Sequence, residues 1–182
     1  MEYHQIVQLK DGRFCTLRNG TARDGAAVYE NFNLTHGQTD FLLSYPEENS
    51  MTAEQEAQFL QEKTESGREI ELLAEVDGKL AGTAGISCAG RKEKVRHRAE
   101  FGISVDQKYW GLGVGRALTE ACAACAKKAG YAQLELNAVA ENERALRLYE
   151  SVGFVEFGRN PRGFRSRLTG WQELVYMRLE LD

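Results

Sequence analysis

Three glycines at alternate positions, in the run Trp110-Gly111-Leu112-Gly113-Val114-Gly115-Arg116-Ala117-Leu118, separate a strand-like alternation of apolar residues from a long alanine-rich stretch. No other feature constrains the chain as much. A residue without a Cβ lets the backbone turn sharply and brings its N–H groups close to whatever lies over them. The helix after the glycines begins with N–H groups that have no partner inside it, at the positive end of its dipole, and both suit phosphate. The junction therefore predicts a site for a diphosphate-bearing cofactor.

Two other phosphate-binding patterns fail on spacing. A dinucleotide fold wants G-x-G-x-x-G, an acidic residue about 20 positions later and a large doubly wound sheet. Here the glycines run G-x-G-x-G, the acidic candidate Glu135 falls in mid-strand, and little chain remains beyond Gly115. A P-loop wants G-K-[ST], whereas Gly115 is followed by Arg116-Ala117.

Apolar periodicity and turn residues predict a mixed α/β chain around this junction. Phe14 to Arg18 reads as a first strand, and a helix carrying Ala26, Ala27, Val28, Phe32 and Leu34 comes after the turn at Asn19 to Thr21. Thr35 to Ser50, polar and aromatic with Pro46, reads as an irregular loop. A second helix takes Ser50 or Thr52 as N-cap, has Glu54 or Gln55 in its first turn, and ends at Gly67. Glu69 to Val76 and Leu80 to Ser87 flank Asp77-Gly78, a strong hairpin signal.

Arg91 to Arg98 is a basic connector into a central strand, Ala99 to Val105. Beyond the glycines, Val114, Leu118, Ala121, Cys122 and Cys125 recur at helical spacing, with Lys127 and Lys128 in the last turn and Gly130 closing the helix. Gln133 to Ala138 is the next strand, and Ala145, Leu148, Tyr149 and Val152 share one face of a helix that ends at Gly153. Phe154 to Phe157 and Glu173 to Leu181 are two final strands, separated by a mobile loop over Arg159 to Arg167. The order β-α-α-β-β-β-α-β-α-β-β describes one domain over residues 1–182, with a single sheet.

Composition narrows the function. A net charge of −4 argues against nucleic acid as a partner and fits a cationic or amine substrate. The basic run Arg91 to Arg98 lacks interleaved aromatic residues and reads as a solvated arm. No stretch approaches the roughly 18 unbroken apolar residues of a membrane helix, and the N-terminus lacks the build of a signal peptide, so a cytoplasmic protein is expected. Cys122 and Cys125 form a C-x-x-C, but in mid-helix and without a second pair, so they are expected to be small buried helix residues and no metal site is expected. The apolar final strand and Trp171 make a homodimer an expectation.

Together with the chain up to Phe154, the glycine run resembles the GCN5-related N-acetyltransferase family. That family's cofactor loop, [RQ]-x-x-G-x-[GA], aligns with Trp110 to Gly115 and joins its fourth strand to its third helix. A second signature, N-x-x-A-x-x-L-Y-x-x-x-G-F, is matched by Asn142, Ala145, Leu148, Tyr149, Gly153 and Phe154. Trp110 departs from the pattern by standing at the Arg/Gln position.

The resemblance implies a mostly antiparallel sheet of about seven strands, splayed between the fourth and fifth and flanked by about four helices. It also implies acetyl transfer from acetyl-CoA. The diphosphate would lie on the amides of Gly111, Gly113, Val114, Gly115 and Arg116, and the pantetheine arm would pair with the backbone at Ile103 and Val105. Trp110, Asn142 and Tyr149 complete the cofactor contacts so implied, and Asn142 equally suits the N-cap of its helix.

The central strand supplies candidates for the chemistry. Period 2 sets Ala99, Phe101, Ile103 and Val105 on one face and Glu100, Gly102 and Ser104 on the other. A protonated amine has no lone pair to attack with, so acetylation needs a base, and Glu100 stands on the strand from which similar enzymes supply it. Tyr149 falls where similar proteins place a donor to the departing thiolate, a general-acid role. The Val105 amide would serve as oxyanion donor. No cysteine sits beside a plausible base, so direct attack of an amine in a ternary complex is expected rather than an acyl-enzyme. A binding module that holds acyl-CoA without turnover is the alternative.

Overall fold

A strand that alternation did not reveal opens the chain. His4–Gln8 (β1) pairs antiparallel with Phe14–Asn19 (β2) in a computed structural model that describes residues 1–181. β1 is exposed along nearly its whole length, so its sequence carries no buried face to read. Eight strands result, rather than about seven.

Gly25–Gln38 forms α1 and Ala53–Glu65 forms α2. The second begins at Thr52, whose hydroxyl accepts from the Gln55 amide at 3.3 Å while the Gln55 side chain accepts from the Thr52 amide at 2.9 Å. This reciprocal cap satisfies two N–H groups that the helix itself cannot. α1 runs on to Gln38, taking the first residues of the stretch expected to be irregular, and a short 3-10 turn spans Pro46–Glu48.

Ile70–Val76 (β3) folds back on Lys79–Cys88 (β4) through Asp77 and Gly78, whose φ values of 52° and 72° are those of a tight hairpin turn. Arg98–Val105 (β5) pairs antiparallel with β4, and Val114–Lys128 (α3) begins beyond the glycines. Gln133–Val139 (β6), Glu143–Val152 (α4), Val155–Ser166 (β7) and Gly170–Glu180 (β8) complete the chain.

Arg159 to Arg167, expected to be a loop, lies almost wholly in β7 and pairs with β8 through two register shifts. As an exposed edge strand it too lacks an alternating signature.

The sheet order is β1-β2-β3-β4-β5-β6-β8-β7, with every pair antiparallel except β5 and β6. On one face α3 and α4 cover the main core, in which Leu72, Ala84, Phe101, Leu134 and Met177 meet Val114, Leu118, Cys122, Tyr149 and Phe154. Burying each large apolar side chain contributes about 1.5–3 kcal/mol. The α3 residues that the helical spacing singled out are all buried, Cys122 and Cys125 among them. α1 and α2 cover part of the other face, where Val28 and Leu60 pack on Leu73. Among the described residues no helix is long and apolar enough to cross a membrane.

Candidate functional site

β5 and β6 pair in parallel over only three positions, Arg98–Gln133, Ala99–Leu134 and Glu100–Glu135, and then part. The remaining half of β5 stays paired with β4 alone. In an antiparallel ladder successive residues direct their backbone groups to alternate sides. Ala89 donates to the Arg98 carbonyl and Asp106 to the Ala81 carbonyl, so the even-numbered residues of β5 face β4. Ile103 and Val105 therefore turn their N–H and C=O groups toward the gap. One of these is taken, since the Trp110 indole Nε1 donates to the Val105 carbonyl at 2.7 Å. The Val105 N–H and both polar groups of Ile103 are presented to whatever enters.

The open end of the gap leads to the glycine junction. Gly111 and Gly113 have φ values of 82° and 107°, conformations costly for any residue with a Cβ, and Gly113 is the N-cap of α3. A Cβ built on Gly113 would meet nothing within 4 Å, so the space beside that glycine is open among the described residues. The Lys10 amide fastens the loop from behind by donating to the Leu112 carbonyl at 3.0 Å. Gly113, Val114, Gly115 and Arg116 open α3, and their amides are among those a helix leaves unpaired at its start. The Arg116 side chain turns away, to Ser151 Oγ at 2.6 Å and Glu120 at 3.2 Å, so its contribution to the loop is its amide.

Glu100 and Tyr149 flank the vertex at which the two strands part. Glu100 is the last β5 residue of the parallel ladder; it is exposed, and among the described residues it makes no ion pair. On the neighbouring strand Glu135 is instead held by Arg98. Tyr149 approaches from the opposite face of the sheet, its ring edge-on to Phe101 at 6.2 Å between centroids. Burial pushes its hydroxyl up to about 12, which keeps the proton on at neutral pH. That hydroxyl makes no hydrogen bond to the described residues. Asn142, expected at the cofactor arm or as an N-cap, is seen as the N-cap of α4, its side chain accepting from the Ala145 amide at 3.3 Å.

The face that carries Glu100, Gly102 and Ser104 continues onto β6 and β8 through Asn137 and its cross-strand neighbour Tyr176. One end of this floor is roofed by the segment after α1. The Asp40 carboxylate accepts from Ser166 at 2.7 Å, Thr169 at 2.9 Å and Gln172 at 3.2 Å, tying that segment to the β7–β8 turn. The Arg167 guanidinium lies 3.6 Å from the centre of the Tyr45 ring and reinforces the tie. Neither Asp40 nor Arg167 belongs to a pattern readable along the chain, because their partners are far away in sequence.

A split sheet leading into a glycine-lined helix start has the shape of a site for an extended, phosphate-headed ligand. The model of the acetyltransferase (GNAT) family matches residues 35–154, and the chain belongs to that family. It is 24% identical to the L-amino acid N-acyltransferase MnaT of Escherichia coli over 92% of this chain and 94% of that one. To the N-alpha-acetyltransferase RimI of Mycobacterium tuberculosis it is 39% identical over 48% of this chain and 53% of the relative. Among solved structures, a GNAT-family acetyltransferase from Streptococcus pneumoniae superposes with a TM-score of 0.86 at 28% identity, over 92% of this chain and 99% of that one. YncA from Salmonella typhimurium, solved with its cofactor acetyl-CoA, shares the fold at a TM-score of 0.82 and 22% identity, covering 92% and 94% of the two chains.

Proposed function

We propose that this chain transfers the acetyl group of acetyl-CoA to a primary amine of a small molecule or peptide, by direct attack within a ternary complex. The observation that carries the reading is the run of β5 backbone at Ile103 and Val105 that pairs with no strand on the β6 side, continuous with the glycine loop at the start of α3. The loop amides hold the diphosphate, and the pantetheine arm pairs with β5 as an added strand. The thioester then lies at the vertex between Glu100 and Tyr149.

The amine enters over the open face and loses a proton to Glu100, directly or through one water. Its nitrogen lone pair attacks the thioester carbon, and the Val105 N–H stabilises the oxyanion. Collapse breaks the C–S bond, the proton of Tyr149 goes to the leaving sulfur, and the second proton of the nitrogen leaves to solvent, from which Tyr149 is reprotonated, giving an amide and CoA thiol. An acyl-enzyme route is poorly served by the cysteines. Cys15, Cys122 and Cys125 are buried, and burial raises all three thiols, Cys15 and Cys125 to about 11. Cys88 is half-buried and directed at the Gly90 carbonyl.

For the acceptor, the relative matched over nearly its full length is described as an L-amino acid N-acyltransferase, so free amino acids and their analogues are the first amines to try. Thiol release from acetyl-CoA with a panel of amino acids, polyamines and short peptides tests the reading. Acceptor-dependent release with a matching acetylated product supports it. Binding of CoA without release under any acceptor would favour a non-catalytic acyl-CoA module instead.

A further inference from the structure

We infer that Arg144, held against the Trp110 ring, supplies the side-chain cation for the cofactor diphosphate that the glycine loop of this chain does not supply itself. The inference rests on the acetyl-CoA reading above. The first position of the loop, where the family pattern has a donor side chain, is Trp110, and its one N–H is spent on the Val105 carbonyl at 2.7 Å.

Arg144 stands against the same ring. Its guanidinium carbon is 5.3 Å from the indole centre, and an Nη atom comes within 3.4 Å of where a Cβ on Gly111 would stand. The side chain thus reaches from the first turn of α4 to the mouth of the loop.

Nothing local accounts for a cation there. The start of α4 is the positive end of its dipole, which disfavours a further positive charge. The neighbouring arginines are engaged: Arg147 pairs with Glu143 at 2.9 Å, and Arg116 with Glu120 at 3.2 Å. Among the described residues Arg144 makes neither an ion pair nor a hydrogen bond. Its place over the indole restrains the guanidinium while leaving its donors unused, and its planar fork matches two phosphate oxygens at once. Its Nη beside the Cβ position of Gly111, inside the loop, directs it to the diphosphate rather than to the 3′-phosphate of CoA.

The test is equilibrium binding of CoA, 3′-dephospho-CoA and pantetheine to the full chain and to Arg144→Gln, whose exposed site leaves the fold intact. The expected result is a loss of about tenfold or more for both CoA and dephospho-CoA, by the same factor, with pantetheine unaffected. Unchanged CoA affinity would overturn the assignment, as would a loss shared by pantetheine. A loss for CoA but not for dephospho-CoA would move Arg144 to the 3′-phosphate and equally overturn it. If the unaltered chain binds none of the three, the acetyl-CoA reading itself falls, and the assignment with it.

Discussion

The Trp110 indole donates to the Val105 carbonyl, so the residue that begins the glycine loop clamps the residue that ends β5. Through this bond the cofactor loop and the proposed oxyanion donor share one rigid corner. Trp110→Phe keeps an aromatic face for Arg144 and removes only the N–H. A net hydrogen bond is worth about 0.5–1.5 kcal/mol, so kcat should fall by up to about tenfold with little change in CoA affinity. Steady-state kinetics with parallel calorimetry of CoA binding checks this, and an unaltered kcat would make the clamp irrelevant to turnover.

Glu100→Gln removes the proposed base without changing the shape of the vertex. At neutral pH kcat/KM should drop by about 10²-fold or more, the ordinary scale of general-base catalysis, while CoA affinity holds. Raising the pH supplies amine that is already neutral, so the deficit should narrow. A deficit that stays constant from pH 7 to 9.5 would argue for a base elsewhere.

Tyr149→Phe keeps the packing against Phe101 and Phe154 and deletes a hydroxyl that makes no hydrogen bond to the described residues. Thermal stability should therefore be nearly unchanged. Turnover should fall by about 10²-fold, the low end for general-acid catalysis, because a thiolate leaves readily. Wild-type turnover in the folded variant would reduce Tyr149 to packing.

Gly113→Val tests the loop directly. Its φ of 107° is strained for valine, and the new side chain would occupy the empty space over the amides. Stability should drop by about 1–3 kcal/mol, and CoA should no longer raise the melting temperature. Stabilisation by CoA equal to that of the unaltered chain would place the diphosphate elsewhere.

A pH dependence of stability is expected from Glu71. Its carboxylate lies across Gly85, so close that a Cβ there would stand 1.9 Å from Oε2. Burial pushes this carboxyl up from about 4.5 to about 7, against the pull of Lys63, while Glu56 adds to the rise. A raised acid stabilises the fold when protonated, so its contribution is complete below about pH 4.5 and is lost as the pH rises through 7. Glu71→Gln should therefore be more stable than wild type above pH 7 and lose that advantage toward pH 5, at about 2–4 °C in Tm for each kcal/mol. Melting curves from pH 5 to 8.5 decide it, and parallel Tm profiles for the two proteins would refute it.

What could be read along the chain was whatever neighbours in sequence encode. The buried stripe of α3 from Val114 to Cys125, the Thr52 cap, the Asp77-Gly78 turn and the glycine junction each arise within a few residues, from periodicity or from backbone chemistry. The same local signals set Glu100 and Val105 on opposite faces of one strand and Tyr149 on the buried side of α4. β1 and the part of β7 beyond Phe157 escaped because an edge strand exposed along most of its length has no face to encode. The parting of β5 from β6 after Glu100, the Trp110–Val105 clamp, the placing of Arg144 over Trp110 and the Asp40 tie depended on tertiary packing. They join residues from separate elements, and no local pattern records which side chains packing will bring within hydrogen-bonding or stacking distance.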